Sequence, residues 1–243
     1  MTESLTSTKA PRVGWSLAAC IGLLVVSNVV ANRLLPSWAV IPWNLTVAGA
    51  LIVLAIRVGG RSAAQLGLSR AALPSGLRWG GGAAGLVLVV YLIGAAIPST
   101  RSLFEDSRVD GSLIGSLAQA LLWVPLGTVV IEEVAFRGVL PALFAVRWGR
   151  IRGNFASAVL FGLWHVLPAW RINTANPIFR EALPGTPGQI TAIVLGVVAT
   201  AIAGLFLSWL RDRSGSLLAP VMLHTATNGF GYIVGWMVQY GPG

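Results

Sequence analysis

Apolar and polar residues follow one another along this chain in long blocks, not in single alternating steps. Residues 1–12 are polar (Thr2, Glu3, Ser4, Thr6, Ser7, Thr8, Lys9, Arg12) and read as a disordered cytoplasmic N-terminus. Apolar blocks follow at Val13–Ala31, Trp38–Ile56 and Trp79–Pro98. A longer one, Ser112–Val146, contains Pro125 and exceeds the roughly 20 residues of a single straight crossing. It reads either as one kinked, protruding helix or as a re-entrant piece followed by a span. Asn154–Trp170, Gln189–Leu210 and Ser216–Tyr240 complete the series, and Pro220 leaves the last block as one helix or two. The pattern predicts an all-α, polytopic transmembrane bundle of about seven spans, six to eight being compatible. Residues 13–98 form its N-terminal helices, and 99–243 form a second half in which all the readable chemistry lies.

Composition agrees with the bilayer as solvent. The 243 residues are 55% hydrophobic and 10% charged, with a mean hydropathy of +0.77. A soluble domain carries about 25% charged residues. The net charge of +9 comes from 17 basic residues, all but Lys9 arginine. They sit in short clusters between apolar blocks, as membrane topology requires, so nucleic acid is excluded as a partner. With seven spans and the N-terminus inside, eleven basic residues fall on the inner side and five on the outer, with Arg137 inside a span. This bias places the N-terminus in the cytoplasm and the protein in the plasma membrane. The first block is long enough to span and is followed by others, so it reads as an uncleaved helix, not a signal peptide. Loop 57–78 carries four arginines among leucines and is expected to lie on the inner leaflet. Loop 171–188, with three prolines, is expected outside as a lid or gate. The single cysteine, Cys20, excludes a disulfide and reads as a small buried hydrophobe.

Several motifs are decoys. Gly80, Gly82 and Gly85 spell G-x-G-x-x-G, but inside a transmembrane block and without the strand that a dinucleotide site needs. Gly81 and Gly85 spell G-x-x-x-G, which predicts close helix packing. Asn44-Leu45-Thr46 is a chance glycosylation sequon at the mouth of a span. H-E-x-x-H and G-x-S-x-G are both missing, and Asp106, Asp110 and Asp212 all fall in loops.

The residues that cost energy carry the information. Of eight acidic residues only Glu132 and Glu133 lie in an apolar block, and both histidines, His165 and His224, do so too. Two glutamates and Arg137 at mid-helix disfavour insertion by on the order of 8 kcal/mol before any pairing. Glu133 and Arg137 are four residues apart, the spacing and order of an intrahelical salt bridge. Glu132, about 100° away, points elsewhere without a same-face basic partner, which suits a general base. His224 and Asn228 are also four apart and can turn N–H donors toward one atom, as stabilisation of an oxyanion requires. Phe161 stands one turn before His165 and offers it an aromatic wall. Structural hydrogen bonding explains one such group, but not six on three segments; a catalytic or transport site does.

These residues form three motifs. E-E-x-x-x-R is Glu132–Arg137, F-x-x-x-H is Phe161–His165, and H-x-x-x-N is His224–Asn228, with Gly138 and the Gly215-Ser216-Leu217…Ala219-Pro220 lead-in beside them. In this order, in separate spans, they resemble the CPBP family, the CAAX-protease and bacteriocin-processing (Abi) membrane proteins. The resemblance covers roughly Leu113–Gly231 and implies an intramembrane endopeptidase acting on membrane-associated proteins or peptides. It implies that Glu132 and His165 activate water, that His224 and Asn228 hold the oxyanion, and that Glu133 belongs to the catalytic set. A metalloendopeptidase-like alternative would place zinc on Glu132, His165 and His224. The scarcity of ligands and of carboxylates around them favours a metal-free glutamate mechanism with no cofactor.

Two other classes use the same residues: a proton- or ion-coupled transporter, and a non-catalytic partner such as a bacteriocin-immunity protein. The transporter predicts repeated halves with matching broken helices, and the sequence has no such repeat. Topology is testable first. A cysteine introduced at Thr186 should react with a membrane-impermeant thiol reagent added outside the cell, and one at Ser69 should not; the reverse pattern overturns the orientation.

Overall fold

The structure is a computed structural model describing residues 9–105, 109, 111–170, 181 and 183–241. Among the described residues it is helical, with no strand. The long helices are α1 (Lys9–Arg33), α2 (Ser37–Val53) and α3 (Leu73–Ala96). Next come the short α4 (Leu113–Ala118) and α5 (Val130–Glu133). The chain ends with α6 (Leu140–Trp164), α7 (Gly185–Ser214) and α8 (Leu218–Tyr240). Residues 1–8 and the greater part of the proline-rich loop, 171–180 and 182, lie outside the described residues. Helix α1 already includes Lys9–Arg12, and α7 begins at Gly185, before the expected loop end at Gly188.

Among the described residues five stretches are long and apolar enough to cross a membrane: Arg12–Arg33, Ser37–Val58, Arg70–Ala96, Leu113–Ala169 and Gly185–Ser214. Their outward faces carry large apolar side chains that no protein covers, such as Leu86, Val90 and Ile93 on α3 and Ile190, Val194 and Ile202 on α7. Such surface belongs in lipid, and the chain is an integral membrane protein. α8, at 23 residues, is not among the five, so a count of seven crossings stays a proposal.

The long fourth block does not form a separate re-entrant piece. It winds without a break from Leu113, through π-helical turns at Gln119–Trp123, Pro125–Val129 and Val134–Val139, into α6. Pro125 has no N–H to give the preceding turn, and widened turns accommodate that loss. Within α6 only Gly149 leaves helical geometry, at φ 75° and ψ 167°, a conformation open essentially to glycine alone. Here the chain turns back on itself. Ser157 Oγ donates to the Phe136 carbonyl at 2.7 Å, and the rings of Phe136 and Phe161 lie 5.2 Å apart. The loop expected between Val146 and Asn154 is thus reduced to one residue, flanked by exposed Arg147 and Arg150. Pro220 falls in the first turn of α8, where its missing N–H is tolerated, and the last block is a single helix.

The core centres on this helical hairpin. Phe136, Val139, Leu140, Leu143 and Phe161 pack with Cys20 and Leu24 of α1, with Val47 and Leu51 of α2, and with Leu66 and Leu217. Loop 57–78 therefore does not merely lie on the leaflet. Gly67 (φ 82°) turns the chain so that Leu66 is fully buried and the Gly67 carbonyl accepts from Leu217 N–H at 2.9 Å. Helix α3 packs along α8 through Gly76 and Gly80, which face Ser216 and Ala219–Met222. The pair expected for this role, Gly81 and Gly85, is set on another face, and Gly85 meets nothing within 4 Å.

Gly229 lets α8 approach the π-helical turn at Gln119–Trp123: a Cβ there would lie 2.8 Å from the Ala120 carbonyl oxygen. Backbone cannot yield as a flexible side chain can, so Gly229→Ala should cost about 1–3 kcal/mol. Gly231→Ala, in open space, should be neutral or slightly stabilising. Thermal unfolding midpoints in detergent will compare them; equal midpoints would show that the α8 contact is slack.

Candidate active site

The first motif spans α5 and the π-helical turn after it, on one arm of the hairpin. The second motif ends the returning arm, and the third lies on α8. Glu133 is the junction. Its Oε1 accepts from Arg137 Nη1 at 3.0 Å and lies 2.7 Å from His224 Nδ1. Glu133 and Arg137 are buried, at 0% and 2% exposure, so this pairing is sheltered from water. Arg137 also stacks on the Phe161 ring, 3.8 Å from its centroid. Phe161 is shared further: His165 meets it edge-on at 4.6 Å and His224 at 6.1 Å.

Glu132 faces a different set of neighbours. Its Oε1 accepts from the Trp164 indole N–H at 2.9 Å. Its Oε2 is buried, has no hydrogen-bond partner among the described residues, and lies 3.7 Å from His224 Nε2. That separation exceeds a hydrogen bond but is closed by one bridging atom. His165 Nδ1 lies 2.8 Å from the Phe161 carbonyl. A carbonyl only accepts, so Nδ1 carries the proton and the neutral ring presents Nε2 as an acceptor.

The structure therefore brings Glu132, Glu133, Arg137 and His224 into one buried cluster, with half-buried His165 beside the same Phe161 ring. Asn228, one turn beyond His224 on α8, is exposed. Two cavities, of about 690 and 340 Å³, lie near the Gly149 bend, and neither is lined by Glu132, His165, His224 or Asn228. The single water-accessible cavity expected around those four residues is not formed by either of them. Among the described residues no three His, Cys, Asp or Glu side chains gather as a metal-holding group.

Three positioning residues escaped the sequence reading. Trp164 orients Glu132; the signal was an indole N–H in an apolar block, which needs a partner, directly beside His165. Asn28 of α1 donates to the Trp164 carbonyl at 3.0 Å, where α6 ends and that carbonyl loses its helical partner. Tyr91 of α3 donates to the Thr227 carbonyl at 2.8 Å, beside Asn228. The latter two come from the half in which the sequence offered no chemistry.

Arg137→Ala leaves Glu133 buried with His224 as its one remaining partner. It should destabilise the fold by about 3–5 kcal/mol and lower the yield of folded protein. Size-exclusion profiles and thermal unfolding read this directly; normal folding with loss of activity alone would make Arg137 a substrate-binding group.

The family model described as type II CAAX prenyl endopeptidase Rce1-like matches residues 114–230, from α4 into α8, and encloses all three motifs. No match is found among curated proteins or among solved structures. The match over residues 114–230, close to half of the chain, supports the CPBP family of CAAX-type membrane proteases.

Proposed function

We propose that the protein is an intramembrane endopeptidase that hydrolyses peptide bonds of membrane-associated proteins or peptides by a glutamate mechanism. The observation that carries this reading is the state of Glu132. One carboxylate oxygen is fixed by Trp164, and the other is buried without a hydrogen-bond partner among the described residues, 3.7 Å from an imidazole nitrogen. A carboxylate so placed can hold and deprotonate a water molecule.

In this mechanism Glu132 removes a proton from water, with His165 Nε2 accepting the water's second hydrogen bond. The hydroxide oxygen attacks the peptide carbonyl carbon. His224 and Asn228 donate to the resulting oxyanion, each contribution being about 3 kcal/mol. His224 Nδ1 is committed to Glu133, so donation from Nε2 requires the imidazolium. With His224 in that form the quartet of Glu132, Glu133, Arg137 and His224 is neutral, which suits a low-dielectric site. Collapse of the tetrahedral intermediate breaks the C–N bond, and the proton held by Glu132 passes to the leaving amine.

Zinc on Glu132, His165 and His224 is the alternative. The donor set fits it poorly, because among the described residues these side chains do not gather as a metal-holding group, although His224, with Nδ1 on the Glu133 carboxylate, keeps Nε2 free as a ligand would. No step is routed through a metal. The family description points to substrates with a prenylated C-terminus, a bacteriocin leader being the other class consistent with the motifs. We place the protein in the plasma membrane with its N-terminus in the cytoplasm.

Glu132→Gln keeps the shape and removes the base. It should abolish cleavage of a membrane peptide while leaving folding and peptide binding intact. Asn228→Ala should lower kcat about 100-fold with little change in binding. A strong chelator should leave wild-type turnover unchanged; stoichiometric zinc, lost together with activity and restored with it, would overturn the metal-free mechanism.

A further inference from the structure

The buried cluster accounts for one side of Arg137 only. Nη1 binds Glu133, whereas Nη2 is buried with no hydrogen-bond partner among the described residues. An orphaned guanidinium N–H in a 2% exposed side chain is costly, and proteins rarely leave one so. Arg137 lines the cavity of about 340 Å³, together with Arg61, Arg150, Arg211, Asn154 and Asp212. This volume lies in the range of about 300–1,000 Å³ usual for small-ligand sites. With Arg137 paired to Glu133, the three other guanidinium groups against one carboxylate leave a surplus of two positive charges on its wall.

The carboxylate is already engaged. Asp212 Oδ2 accepts from Asn154 Nδ2 at 2.8 Å and pairs with Arg150 Nε at 3.3 Å, and Oδ1 pairs with Arg211 Nη1 at 3.4 Å. Arg211 Nη2 donates to the Gln65 carbonyl, yet its Nε is buried and unpartnered too. The two arginines that carry these donors, on different elements, both line one cationic cavity. A carboxylate ligand has two oxygens, whereas a phosphoryl group has enough to meet separate guanidinium forks. The cavity adjoins the Gly149 bend with its exposed arginines, and the half-exposed Val146 lies on its wall.

We propose that this cavity is a binding site for a phosphoryl anion, either free phosphate or the headgroup of an acidic phospholipid. The ligand caps Nη2 of Arg137, whose Nη1 holds Glu133, which in turn holds His224. Occupancy therefore fixes the orientation of the His224 imidazole from behind; this second step rests on the peptidase reading, and the binding does not.

The test uses the full chain and reads binding without turnover. Inorganic phosphate is titrated in uncharged detergent at constant ionic strength, with chloride as the reference anion, and the thermal shift is followed. In parallel the protein is reconstituted into nanodiscs of phosphatidylcholine with phosphatidylglycerol, and retained lipid is identified by native mass spectrometry. Saturable stabilisation by phosphate, selective retention of phosphatidylglycerol, or both would support the site and name its source. The double variant Arg61→Gln/Arg150→Gln should weaken binding about tenfold or more. Arg147→Gln, exposed and outside the cavity, should leave binding unchanged. Neither ligand bound, or equal losses in both variants, would overturn the proposal. Phosphate binding by a wild-type protein that cleaves no membrane peptide would count against the peptidase reading alone.

Discussion

The buried carboxylate of Glu133 is the constraint around which the structure is arranged. Unpaired, it would oppose insertion of its helix and folding of the bundle alike. One oxygen atom, Oε1, binds Arg137 on its own segment and His224 on α8, so a single group joins the hairpin to the last helix. Arg137 in turn needs a surface for its flat guanidinium, and Phe161 of the returning arm supplies it. The three motifs are held together by the electrostatic needs of Glu133 and Arg137, before any chemistry is asked of them.

Lipid makes this arrangement both necessary and strong. Outside the bundle there is no water to satisfy a stray polar group, so each internal hydrogen bond fixes geometry. Asn44 of α2 donates to the Gly127 carbonyl at 2.6 Å, within the π-helical turn that precedes α5. Asn28 holds the end of α6, and Tyr91 holds the turn before Asn228. The N-terminal helices thus serve as a splint for the half that carries the three motifs. Each places one polar side chain on a backbone carbonyl of residues 127–227.

The blocks of apolar residues made the helices legible, and the expense of Glu132, Glu133, His165 and His224 made the site legible. Both signals are local. Glu133 and Arg137 meet because four residues on one helix are neighbours, and sequence spacing carries that information. What spacing does not carry is which helices meet. The partner of Glu132, Trp164, lies 32 positions away and becomes a neighbour only because Gly149 reverses the chain. The packing glycines show the same limit. Gly76 and Gly80 form the α3–α8 contact in place of Gly81 and Gly85, since a one-residue difference on a helix changes the face by about 100°. Loop 57–78 reads as amphipathic by composition, but burial of Leu66 is decided by a gap that only the assembled hairpin and α8 create.

Exposure falls steadily through the site, from Asn228 at the surface, through the half-buried His165, to His224 at 7% and Glu132 at 3%. Under the proposed mechanism this gradient orders the events. A peptide carbonyl approaching along α8 meets the amide donor of Asn228 before it comes near the base. Water, the scarcer reactant in a bilayer, is needed only at the unpartnered Oε2 of Glu132, beneath the Trp164 indole. The indole N–H fixes one oxygen of the base, and its ring packs against Phe136 at 5.7 Å. Keeping bulk water out strengthens every charge–charge contact in the quartet. The cost is access: Glu132 is 3% exposed, so under this mechanism the elements packed around it must separate before a carbonyl reaches it. The links that resist that separation are the contacts from Glu133 and Arg137, so the same bonds that assemble the site also set how readily it opens.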